Sequence, residues 1–556
     1  MFYPENFPKE KENELINFLK ETEKYWLKKK PITYSEFKKY FFQILKNGRF
    51  SFSNPPPFWW LNFILLRHQN IFSEDFVNFL KKYLIKTKTR SISGIIPVAI
   101  FTKPVGCPFH CVYCPENKTL PKSYLKDEPA LRRAIREKFD PYFQTRNRLI
   151  TLLLSGHKID KVEIIIKGGT FSFYSKKYRQ KFIKEIFDAA NTDILQLIKT
   201  GEEKIFKSKT LSQAQKINEK GFCRIIGINI ETRTDFINPQ EIKFLRKLGV
   251  THVELGIQIL NDKILEKINR QQNINQIIKA TFLLKESGFK ISYHLMPNLP
   301  FSSPQKDLET FKKVFTPKFS PDHLKIYPTV VLKNSQIYQW LRKKFYRPYS
   351  LDQLINLLIK VKTEIIPPWV RISRLGRDIS EKEIIAPKIP SNLREIVLRK
   401  IKLLGKFCQC IRCREIKNQP WKGKPKLRIF QYQASEGKEF FLEFVDQENH
   451  CLGFLRLRIP AYLIYPDSYL PLFSSLKNAA LIRELHVYGP ALSLKEKDSI
   501  ATQHKNLGKK LLNKAEKITQ KLKIKKIAII AGIGVRDYYR KLGYCLKETY
   551  MIKNLN

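Results

Sequence analysis

Acidic residues and long apolar segments are both scarce in this chain. Asp and Glu number 51 against 102 Lys and Arg among 556 residues. No run of about 18 apolar residues occurs, which excludes a membrane-spanning helix. The opening sequence MFYPENFPKEKE carries acids and prolines where a secretory signal needs basic and apolar regions. With no internal repeat and no extended low-complexity tract either, we expect a cytoplasmic protein made of folded domains.

The shortage of acids leaves a formal net charge of +51. A field of this size attracts polyanions, so nucleic acid is the leading partner and an anionic membrane surface is its rival. The chain is longer than one hydrophobic core usually serves, which predicts two or three domains. Nine cysteines fall as two tight clusters and three single residues, a distribution that favours metal ligands over disulfides.

Residues 1–90 form a basic, aromatic region. Helical periods cover Glu14–Leu27 and Tyr34–Leu45, and a run of prolines at 55–57 interrupts them before Phe58-Trp59-Trp60. Basic and aromatic side chains together can contact phosphates and stack on bases, which predicts an RNA-binding region. The alternative is a small helical cap whose aromatic residues form its core.

Residues 91–370 alternate short apolar segments with amphipathic ones. The predicted strands are GIIPVAIF, VEIIIKGG, CRIIGINIE, HVELGIQI, KISYHLMP and HLKIYPTVV. The predicted helices between them include Lys177–Ala190, Glu241–Leu248, Ile274–Ser287 and Asp352–Glu364. This alternation predicts an α/β domain with about six parallel strands, a partial (β/α)6 TIM-like barrel, whose chemistry lies at the carboxyl ends of its strands.

The alternation of strands and helices stops after residue 370. Residues 371–424 hold the second cysteine cluster and are predicted to be a linker with a metal site. Residues 425–556 begin with LRIFQYQA, EFFLEFVD and CLGFLRLR, whose period of two is typical of an antiparallel sheet. They predict a separate α+β domain at the C-terminus.

The first cysteine cluster is the segment CPFHCVYC at residues 107–114. Its cysteines have the spacing C-x3-C-x2-C, and the segment follows the first predicted strand. Thiolates are the usual ligands of a four-iron cluster, and three of them leave one iron free to hold a substrate. Structural zinc needs a fourth ligand, so zinc bound through His110 is the lesser alternative.

Polar residues end the later strands of the predicted barrel. Gly168-Gly169-Thr170 follows the second strand, where bare backbone lets a ligand approach, although a glycine pair is also an ordinary turn. The other strand ends carry Glu231, Glu254, Gln258, His294, Lys325 and Tyr327. Some of these side chains only form hydrogen bonds within the protein at the mouth of the barrel. Glu231 and His294 are candidate catalytic residues.

A second anion site is predicted in the C-terminal domain. LIRELHVYG at 481–489 is a predicted strand, and a helix opens within QHKNLGKKL at 503–511. A helix N-terminus offers backbone N–H groups and a positive dipole end to a pyrophosphate. The Q-x-x-x-x-G pattern is weak alone, but a further strand, KIAIIAGIGV, and a helix with a turn at 536–544 follow it.

These motifs resemble two known families. The cysteine spacing, with an aromatic residue before the last cysteine, resembles the radical S-adenosylmethionine (SAM) superfamily, whose free iron chelates SAM. The order of elements after residue 481 resembles the GNAT acetyltransferase fold, whose Q/R-x-x-G-x-G/A loop cradles the pyrophosphate of coenzyme A. Asn506 stands where the first glycine of that loop belongs, and Asn tolerates a left-handed conformation.

With both sites in one chain, the sequence resembles the Elongator protein 3 family from about residue 91 onward. The segments that carry the resemblance are EPALRRAIREKFDPYFQTRNR, DKVEIIIKGGTF, GINIETR, HVELGIQ, DHLKIYPTVV, IRELHVYG and GVRDYYRKLGY. The resemblance implies a radical SAM barrel fused to a GNAT domain. Residues 1–90 lie outside the resemblance, and only their basic, aromatic composition predicts that this helical N-terminal region binds tRNA. The resemblance also implies a cytoplasmic enzyme that acts on the anticodon stem-loop of tRNA as a homodimer or with Elongator-like subunits, and not at a membrane.

The family's functional residues carry over by motif. The ligands of the 4Fe-4S cluster would be Cys107, Cys111 and Cys114, and SAM would contact Gly168, Gly169 and Thr170. The residues implied to bind acetyl-CoA are Lys161, Glu484, Leu485, His486, Val487, Asn506, Leu507, Gly508, Lys509 and Tyr539. Tyr538 and Tyr539 join the candidate catalytic residues. Because Lys161 belongs to the barrel, we expect the coenzyme between the two domains.

The implied reaction carboxymethylates the wobble uridine of tRNA. Reductive cleavage of SAM gives a 5′-deoxyadenosyl radical, which takes hydrogen from the methyl group of acetyl-CoA. The carbon radical adds to uridine C5, and hydrolysis of the thioester leaves 5-carboxymethyluridine. This chain has Pro115-Glu116-Asn117 where the family has Pro-Gly-Gly, which affects the conformation of the loop more than the chemistry.

The second cysteine cluster comprises Cys408, Cys410 and Cys413. Its spacing suits a structural zinc ion with a fourth ligand from elsewhere, for which His450, Cys451 and His486 are unranked candidates. Three free thiols near a turn are the alternative. A lysine-rich stretch at 505–526 either clamps RNA or is a solvated helix face.

Two other functions compete with tRNA modification. A protein or small-amine acetyltransferase with a structural Fe-S cluster would need no SAM and would have an acceptor groove near Tyr538. An RNA-binding scaffold with decayed sites would fit the charge and Asn506. The intact cysteines and the glycine pair at 168–169 argue against the scaffold.

Overall fold

A computed structural model describes residues 3–29, 34–46, 50–52, 54–85, 94–105, 107–115, 119–202, 204–417, 419–489 and 506–555. Three units follow one another along the chain: a helical N-terminal region, a parallel sheet surrounded by helices, and a mostly antiparallel sheet. In the described part, every helix is too short or too polar to cross a membrane.

The N-terminal region is a helical cap on the barrel. Its helices are α1 (Glu12–Lys29), α2 (Tyr34–Lys46), α3 (Phe58–Arg67) and α4 (Glu74–Tyr83). Phe18, Phe63 and Phe76 are fully buried. The side-chain amide of Asn62 donates to the carbonyls of Leu84 and Leu154, both at 2.9 Å. The helical periods of the sequence are confirmed, and many of the aromatic side chains are core residues of the cap.

The barrel is an open sheet of seven parallel strands. They are β1 (Ile96–Phe101), β2 (Lys161–Lys167), β3 (Arg224–Thr232), β4 (His252–Gln258), β5 (Lys290–Leu295), β6 (His323–Ile326) and, after the short strand β7 (Val331–Leu332), β8 (Arg371–Leu375). Their order is β1-β2-β3-β4-β5-β6-β8, and β7 pairs with β9 (Ile384–Ala386) outside this sheet. The predicted partial TIM-like barrel is confirmed.

Helices surround this sheet. They are α5 (Pro129–Arg136), α6 (Pro141–Leu154), α7 (Lys176–Asn191), α8 (Ile194–Thr200), α9 (Leu211–Asn218), α10 (Pro239–Leu248), α11 (Asp262–Lys267), α12 (Ile274–Glu286), α13 (Pro304–Val314), α14 (Gln336–Arg342) and α15 (Leu351–Lys360). Local signals set their starts. Asn238 accepts the N–H of Glu241 while Pro239 fixes the first helical φ of α10, and Gly249 ends this helix at φ 89°.

Strand β8 is a finding that the sequence pattern did not predict. Its five residues fall in the segment 371–424, which sequence analysis assigned to the linker. They pair in parallel with β6, with Arg371 opposite His323. A short strand at the edge of a sheet buries few side chains, so its apolar periodicity is weak. The barrel therefore extends into the predicted linker, which continues with α16 (Leu393–Leu403) and α17 (Ile411–Arg414).

The C-terminal domain has a second seven-stranded sheet. Its elements are β10 (Lys426–Ala434), β11 (Gly437–Val445), β12 (Cys451–Ile459), α18 (Ala461–Ile464), β13 (Ala479–Val487), α19 (Leu507–Lys521), β14 (Lys526–Ile529), α20 (Arg536–Arg540), β15 (Cys545–Lys547) and β16 (Tyr550–Asn554). The strand order is β10-β11-β12-β13-β14-β16-β15. Only the β13–β14 pair is parallel among these ladders. This confirms the predicted α+β domain.

The C-terminal sheet packs against the amino ends of the barrel strands. Arg483 of β13 donates to the carbonyl of Phe289 at 2.7 Å, and Tyr550 donates to the carbonyl of Ser287 at 2.8 Å. Arg536 forms an ion pair with Glu219 at 3.0 Å. Each barrel partner lies just before a strand, so the C-terminal domain covers the end of the barrel opposite to the carboxyl ends of its strands.

Buried charges hold this interface together. The Arg483 guanidinium contacts both Asp322, which precedes β6, and Glu439 of β11. Lys285 Nζ lies 3.4 Å from Glu439 Oε1, and all four side chains are almost fully buried. Burial alone would raise the pKa of Asp322, but Arg483 and Lys285 outweigh it and hold that pKa well below its usual value.

Candidate active site

The first cysteine cluster lies in the loop after β1, at the carboxyl end of the barrel. Arg270 approaches Cys111, with 3.7 Å between Nη1 and Sγ, and also donates to the carbonyl of Gly256 at 2.6 Å. A hydrogen bond with Cys114 lowers the pKa of the Cys111 thiol; burial opposes this shift and Arg270 adds to it. The site therefore favours at least one thiolate.

The three thiols fit a polynuclear iron cluster. All three cysteines line one cavity at the carboxyl end of the barrel. Three thiolates on one loop can hold three irons of a four-iron cluster and leave the fourth iron open to a ligand. His110, the zinc ligand of the lesser alternative, is exposed. Residues Glu116 and Asn117 lie outside the described residues.

One open cavity joins the cysteine loop to the ends of the barrel strands. It is lined by Cys107, Cys111, Cys114, Gly169, Thr170, Glu231 and His294, among others. Gly168 and Gly169 have φ values of 128° and 97°, which residues with side chains rarely adopt. A Cβ atom on Gly168 would collide with the hydroxyl of Thr102. The structure thus brings together the sequence-predicted residues of the first site.

A charged cluster forms the floor of this cavity. Lys325 contacts Glu254 directly and lies 3.6 Å from Glu231, and His294 Nε2 lies 2.6 Å from Glu254 Oε2. Tyr124 donates to Glu231 at 2.5 Å. Burial alone would lower the pKa of Lys325, but Glu254 raises it above its usual value. The cluster presents fixed donors and acceptors to a polar ligand.

Several residues of this cavity were not predicted from the sequence. They are Tyr124, Lys167, Arg270, Arg374 and Arg377. Arg270 lies in the turn after α11, where no periodicity or motif identifies it, and Arg374 belongs to the unpredicted strand β8. Lys167 ends β2 directly before the glycine pair, so its position at a strand end was the one available signal.

The second predicted site lies where α19 begins. Asn506 adopts the left-handed conformation at φ 58°, as expected from its place in the loop motif. A Cβ atom on Gly508 would lie 3.4 Å from the Tyr538 hydroxyl and 3.5 Å from Val487 Cγ2, so this turn, β13 and α20 converge. The first N–H groups of a helix lack partners within it. Gln503, His504 and Lys505 lie outside the described residues.

The candidate coenzyme residues differ in exposure. Lys509 and Tyr538 are exposed, whereas Leu507 and Tyr539 are buried in the core. β13 pairs with β14 over Ala479–Ile482. Beyond this range β13 continues through Glu484, Leu485 and His486 without β14 as its neighbour. Burial lowers the pKa of His486 to about 3, so its imidazole is neutral.

Glu484 places the second site against the barrel. Lys161 is the first residue of β2, and burial lowers its pKa. Glu484 Oε1 lies 3.3 Å from Lys290 Nζ, and Glu484 Oε2 lies 3.8 Å from His323 Nε2. Lys290 and His323 are the first residues of β5 and β6. The second site therefore adjoins the amino end of the barrel.

The second cysteine cluster is a compact candidate metal site. Cys408, Cys410 and Cys413 converge, and Lys362 Nζ lies 3.2 Å from Cys408 Sγ and 3.7 Å from Cys413 Sγ. None of the candidate fourth ligands joins the group within the described chain. His450 contacts Asp446 at 3.0 Å, His486 stacks on Phe454, and Cys451 lies within β12. Lys362 was not among the residues predicted from the sequence.

Known protein families match the barrel. The Radical SAM superfamily model matches residues 102–314, and the Radical_SAM C-terminal domain model matches residues 321–402. Together with the open parallel sheet and the cysteine loop at its carboxyl end, these matches define a radical SAM protein.

Named relatives cover most of the chain. A tRNA uridine(34) acetyltransferase of Dehalococcoides mccartyi (strain CBDB1) is 40% identical over 480 residues, 85% of this chain and 100% of the relative. Elongator complex protein 3 of Homo sapiens is 34% identical over 487 residues, 84% of this chain and 85% of the relative. A solved archaeal Elp3 of Methanocaldococcus infernus, with an N-terminal deletion, has a TM-score of 0.71 at 37% identity and covers 84% of this chain and 100% of that chain. The chain belongs to the family of Elongator complex protein 3 and tRNA uridine(34) acetyltransferase.

Proposed function

We propose that this chain is a radical SAM acyltransferase that converts the wobble uridine of tRNA to 5-carboxymethyluridine with acetyl-CoA. The observation that carries the proposal is the cavity that unites three cysteines with the charged strand ends, in a chain that also has a second site at α19. The reaction joins the acetyl methyl carbon to uridine C5. The methyl group would lose a hydrogen atom to the 5′-deoxyadenosyl radical, and C5 would lose its hydrogen as a proton, with the remaining electron returned to the oxidised cluster. Water cleaves the thioester and coenzyme A leaves as the thiol.

Cys107, Cys111 and Cys114 would hold the 4Fe-4S cluster, and the glycine turn at 168–169 with Thr170 would admit SAM. When bound, the reduced cluster and SAM supply hydrogen-atom abstraction. Arg270 fixes the cysteine loop through its contacts with Cys111 and Gly256. The protein's own contribution is to position ligands and to keep water away from reactive species.

The charged cluster would act on the uridine. Glu231, which accepts a hydrogen bond from Tyr124, would accept the proton that leaves C5. His294 would form a hydrogen bond with the base, and Glu254 would orient the imidazole of His294. These roles need groups with fixed geometry inside the cavity. Burial alone would raise the pKa of Glu254, but Lys325 outweighs it and holds that pKa well below its usual value.

The coenzyme would bind where β13 meets α19. The first N–H groups of α19, from Leu507 to Lys509, would face the pyrophosphate, and Lys161 and Lys509 would add positive charge. The edge Glu484–Val487 would contact the extended arm of the coenzyme. Tyr538 would reach the coenzyme directly, whereas the buried Tyr539 would shape the pocket from the core.

The N-terminal region would contact tRNA through its basic side chains. Because many of its aromatic residues are buried in the cap, phosphate contacts account for its binding better than base stacking does. The anticodon loop is the part of tRNA whose base can be splayed into a cavity. The protein would work in the cytoplasm, as a homodimer or with Elongator-like subunits.

Nucleoside mass spectrometry on unmodified tRNA tests the function. We expect 5-carboxymethyluridine after anaerobic incubation of the cluster-loaded protein with reductant, SAM and acetyl-CoA, and no product when any one component is omitted. Acetyl transfer to a protein or an amine without SAM, together with unmodified tRNA, would instead establish the acetyltransferase alternative.

The second cysteine cluster would hold zinc. Three thiolates around one Zn²⁺ carry a net negative charge, and the buried ammonium group of Lys362 balances it. We expect Cys410→Ser to remove most of the bound zinc, as measured by elemental analysis, and to leave the iron content within about 20% of wild type. The matched control is Cys545→Ser, which changes an exposed cysteine in β15. Loss of iron without loss of zinc would refute this assignment.

A further inference from the structure

Three phenylalanines from different loops meet beside the cysteine cavity. Phe109 lies in the loop after β1, Phe173 in the turn after β2 and Phe236 in the turn after β3. The ring centroids of Phe109 and Phe236 lie 6.3 Å apart, and those of Phe173 and Phe236 lie 6.4 Å apart. We call these three side chains the aromatic ledge. Each loop follows the carboxyl end of its strand, so the ledge lies at the same end of the barrel as the cavity.

The aromatic ledge adjoins the cavity directly. Phe109 and Arg233 both line the cavity, and the guanidinium carbon of Arg233 lies 3.5 Å from the centroid of the Phe109 ring. The backbone N–H of Phe173 donates to the carbonyl of Thr170, another lining residue, at 3.1 Å. The ledge is therefore a continuation of the cavity wall.

Arg233 holds one end of the ledge in place. Its Nη2 atom donates to the carbonyls of Arg270 and Gln271 at 2.9 and 3.0 Å, and its Nε atom donates to Asp235 at 2.9 Å. Arg233 is 2% exposed, and a guanidinium packed on a ring face is an attractive cation–π contact. The Phe109 ring is thus fixed before a ligand arrives, which lowers the entropy lost on binding.

The aromatic ledge is partly open to solvent. Phe173 is 38% exposed, and Phe109 and Phe236 are half-buried. Among the residues that the structure describes, neither Phe173 nor Phe236 packs into a buried apolar cluster. Single exposed apolar side chains are common, but a cluster of them beside a cavity indicates a binding surface.

Exposed lysines border the ledge. Lys176 and Lys177 open α7, the helix that follows the turn of Phe173. Lys103 lies next to this helix start, because its carbonyl accepts a hydrogen bond from Tyr174 and its Nζ lies 4.9 Å from the centroid of the Tyr178 ring. Aromatic rings bordered by lysines match single-stranded nucleic acid, whose bases stack on rings while its phosphates attract cations.

The proposed reaction supplies a base that needs a stacking partner. A uridine that enters the cavity leaves its place in the anticodon loop, so the base next to it loses one stacking contact. A protein ring beside the cavity replaces this contact. Such stacking tolerates any base, because every base has a π face.

We propose that the aromatic ledge stacks the base next to the target uridine and so holds the anticodon loop over the cysteine cavity. This inference rests on the proposed function and adds a binding subsite to it. Phe173 contacts the base, and Phe236 and Phe109 complete the stacking surface. Lys103 and the lysines at 176–177 contact the flanking phosphates. The ledge recognises an unstacked base and not one particular sequence.

Fluorescence of a base analogue tests the stacking without turnover. Anticodon stem-loop RNA carries 2-aminopurine on the 5′ or the 3′ side of the wobble uridine and is mixed with excess oxidised, cluster-loaded protein. We expect wild type to quench the fluorescence at one of these two positions, because a stacked 2-aminopurine is quenched. Phe173→Leu, which keeps an apolar side chain but lacks a π face, should abolish most of this quenching, and Phe173→Tyr should retain it.

The affinity for the same RNA provides a second readout. We expect Phe173→Leu to raise the Kd at least about tenfold and Phe173→Tyr to change it less than about threefold. The matched control is Phe222→Leu, which removes a ring that is 51% exposed just before β3, at the amino end of the barrel, and should keep the wild-type Kd. Thermal unfolding of all variants identifies any general loss of folding, and Phe173→Tyr then decides between a lost ring and a lost fold.

The outcomes separate the ledge from the proposed function. Wild type that modifies uridine but quenches 2-aminopurine at neither position would overturn the ledge alone. Equal quenching and equal Kd in wild type and Phe173→Leu would also overturn it, as would an equal loss of affinity in Phe222→Leu. Wild type that quenches 2-aminopurine through Phe173 but modifies no uridine would overturn the proposed function and leave the ledge as a base-stacking site for RNA.

Discussion

Cys111→Ser is expected to lower 5′-deoxyadenosine formation from SAM by at least about a thousandfold. A serine hydroxyl is not deprotonated at neutral pH, so only two thiolates would remain to hold the iron cluster. The variant also loses the thiolate that Arg270 faces at 3.7 Å. Anaerobic turnover with reductant, followed by quantification of 5′-deoxyadenosine, measures the effect.

The control for this prediction is Cys223→Ser, which alters a single buried cysteine just before β3. It should keep the cluster and cleave SAM at a rate within about threefold of wild type, because its thiol lies outside the cavity. Full SAM cleavage by Cys111→Ser, or iron content equal to that of wild type, would contradict the assignment of Cys107, Cys111 and Cys114 as ligands.

Arg483→Met is expected to lower the free energy of unfolding by about 3–5 kcal/mol. Arg483 is fully buried at the interface between the two sheets. Its loss would remove a positive charge that faces the buried carboxylates of Asp322 and Glu439. Chemical denaturation at pH 7 measures the change. Arg399→Met, at an exposed position in α16, is the matched control and should change stability by less than about 0.5 kcal/mol.

The pH dependence of this effect follows from the pKa of Asp322. That pKa lies below its unfolded value in wild type, so the stabilisation is present above about pH 4 and is lost as pH falls through the folded pKa. In Arg483→Met, less positive charge faces Asp322, so burial raises the pKa of its carboxyl group. The loss of unfolding free energy relative to wild type should therefore be smaller at pH 5 than at pH 8. A loss below about 1 kcal/mol at pH 7 would show that the interface does not depend on this arginine.

The predicted elements were accurate wherever a strong local signal existed. The six predicted barrel strands and the helix over Lys177–Ala190 are present, because repeated apolar side chains and capping residues act over a few neighbours. Strand β8 was missed because its partners are contributed by β6, about fifty residues earlier in the chain. The left-handed Asn506 was anticipated because one residue's own conformational preference decides it.

The sequence by itself determined the class of chemistry. The spacing of Cys107, Cys111 and Cys114, the glycine pair at 168–169 and the turn before α19 are local patterns whose chemistry follows from the residue types. Only the tertiary structure decided that Arg270 faces Cys111 and that Lys362 faces Cys408. It also decided that the candidate coenzyme site lies at the amino end of the barrel, opposite the cysteine cavity. These are contacts between segments up to about two hundred residues apart, which arise from the packing of the two sheets and which no local periodicity encodes.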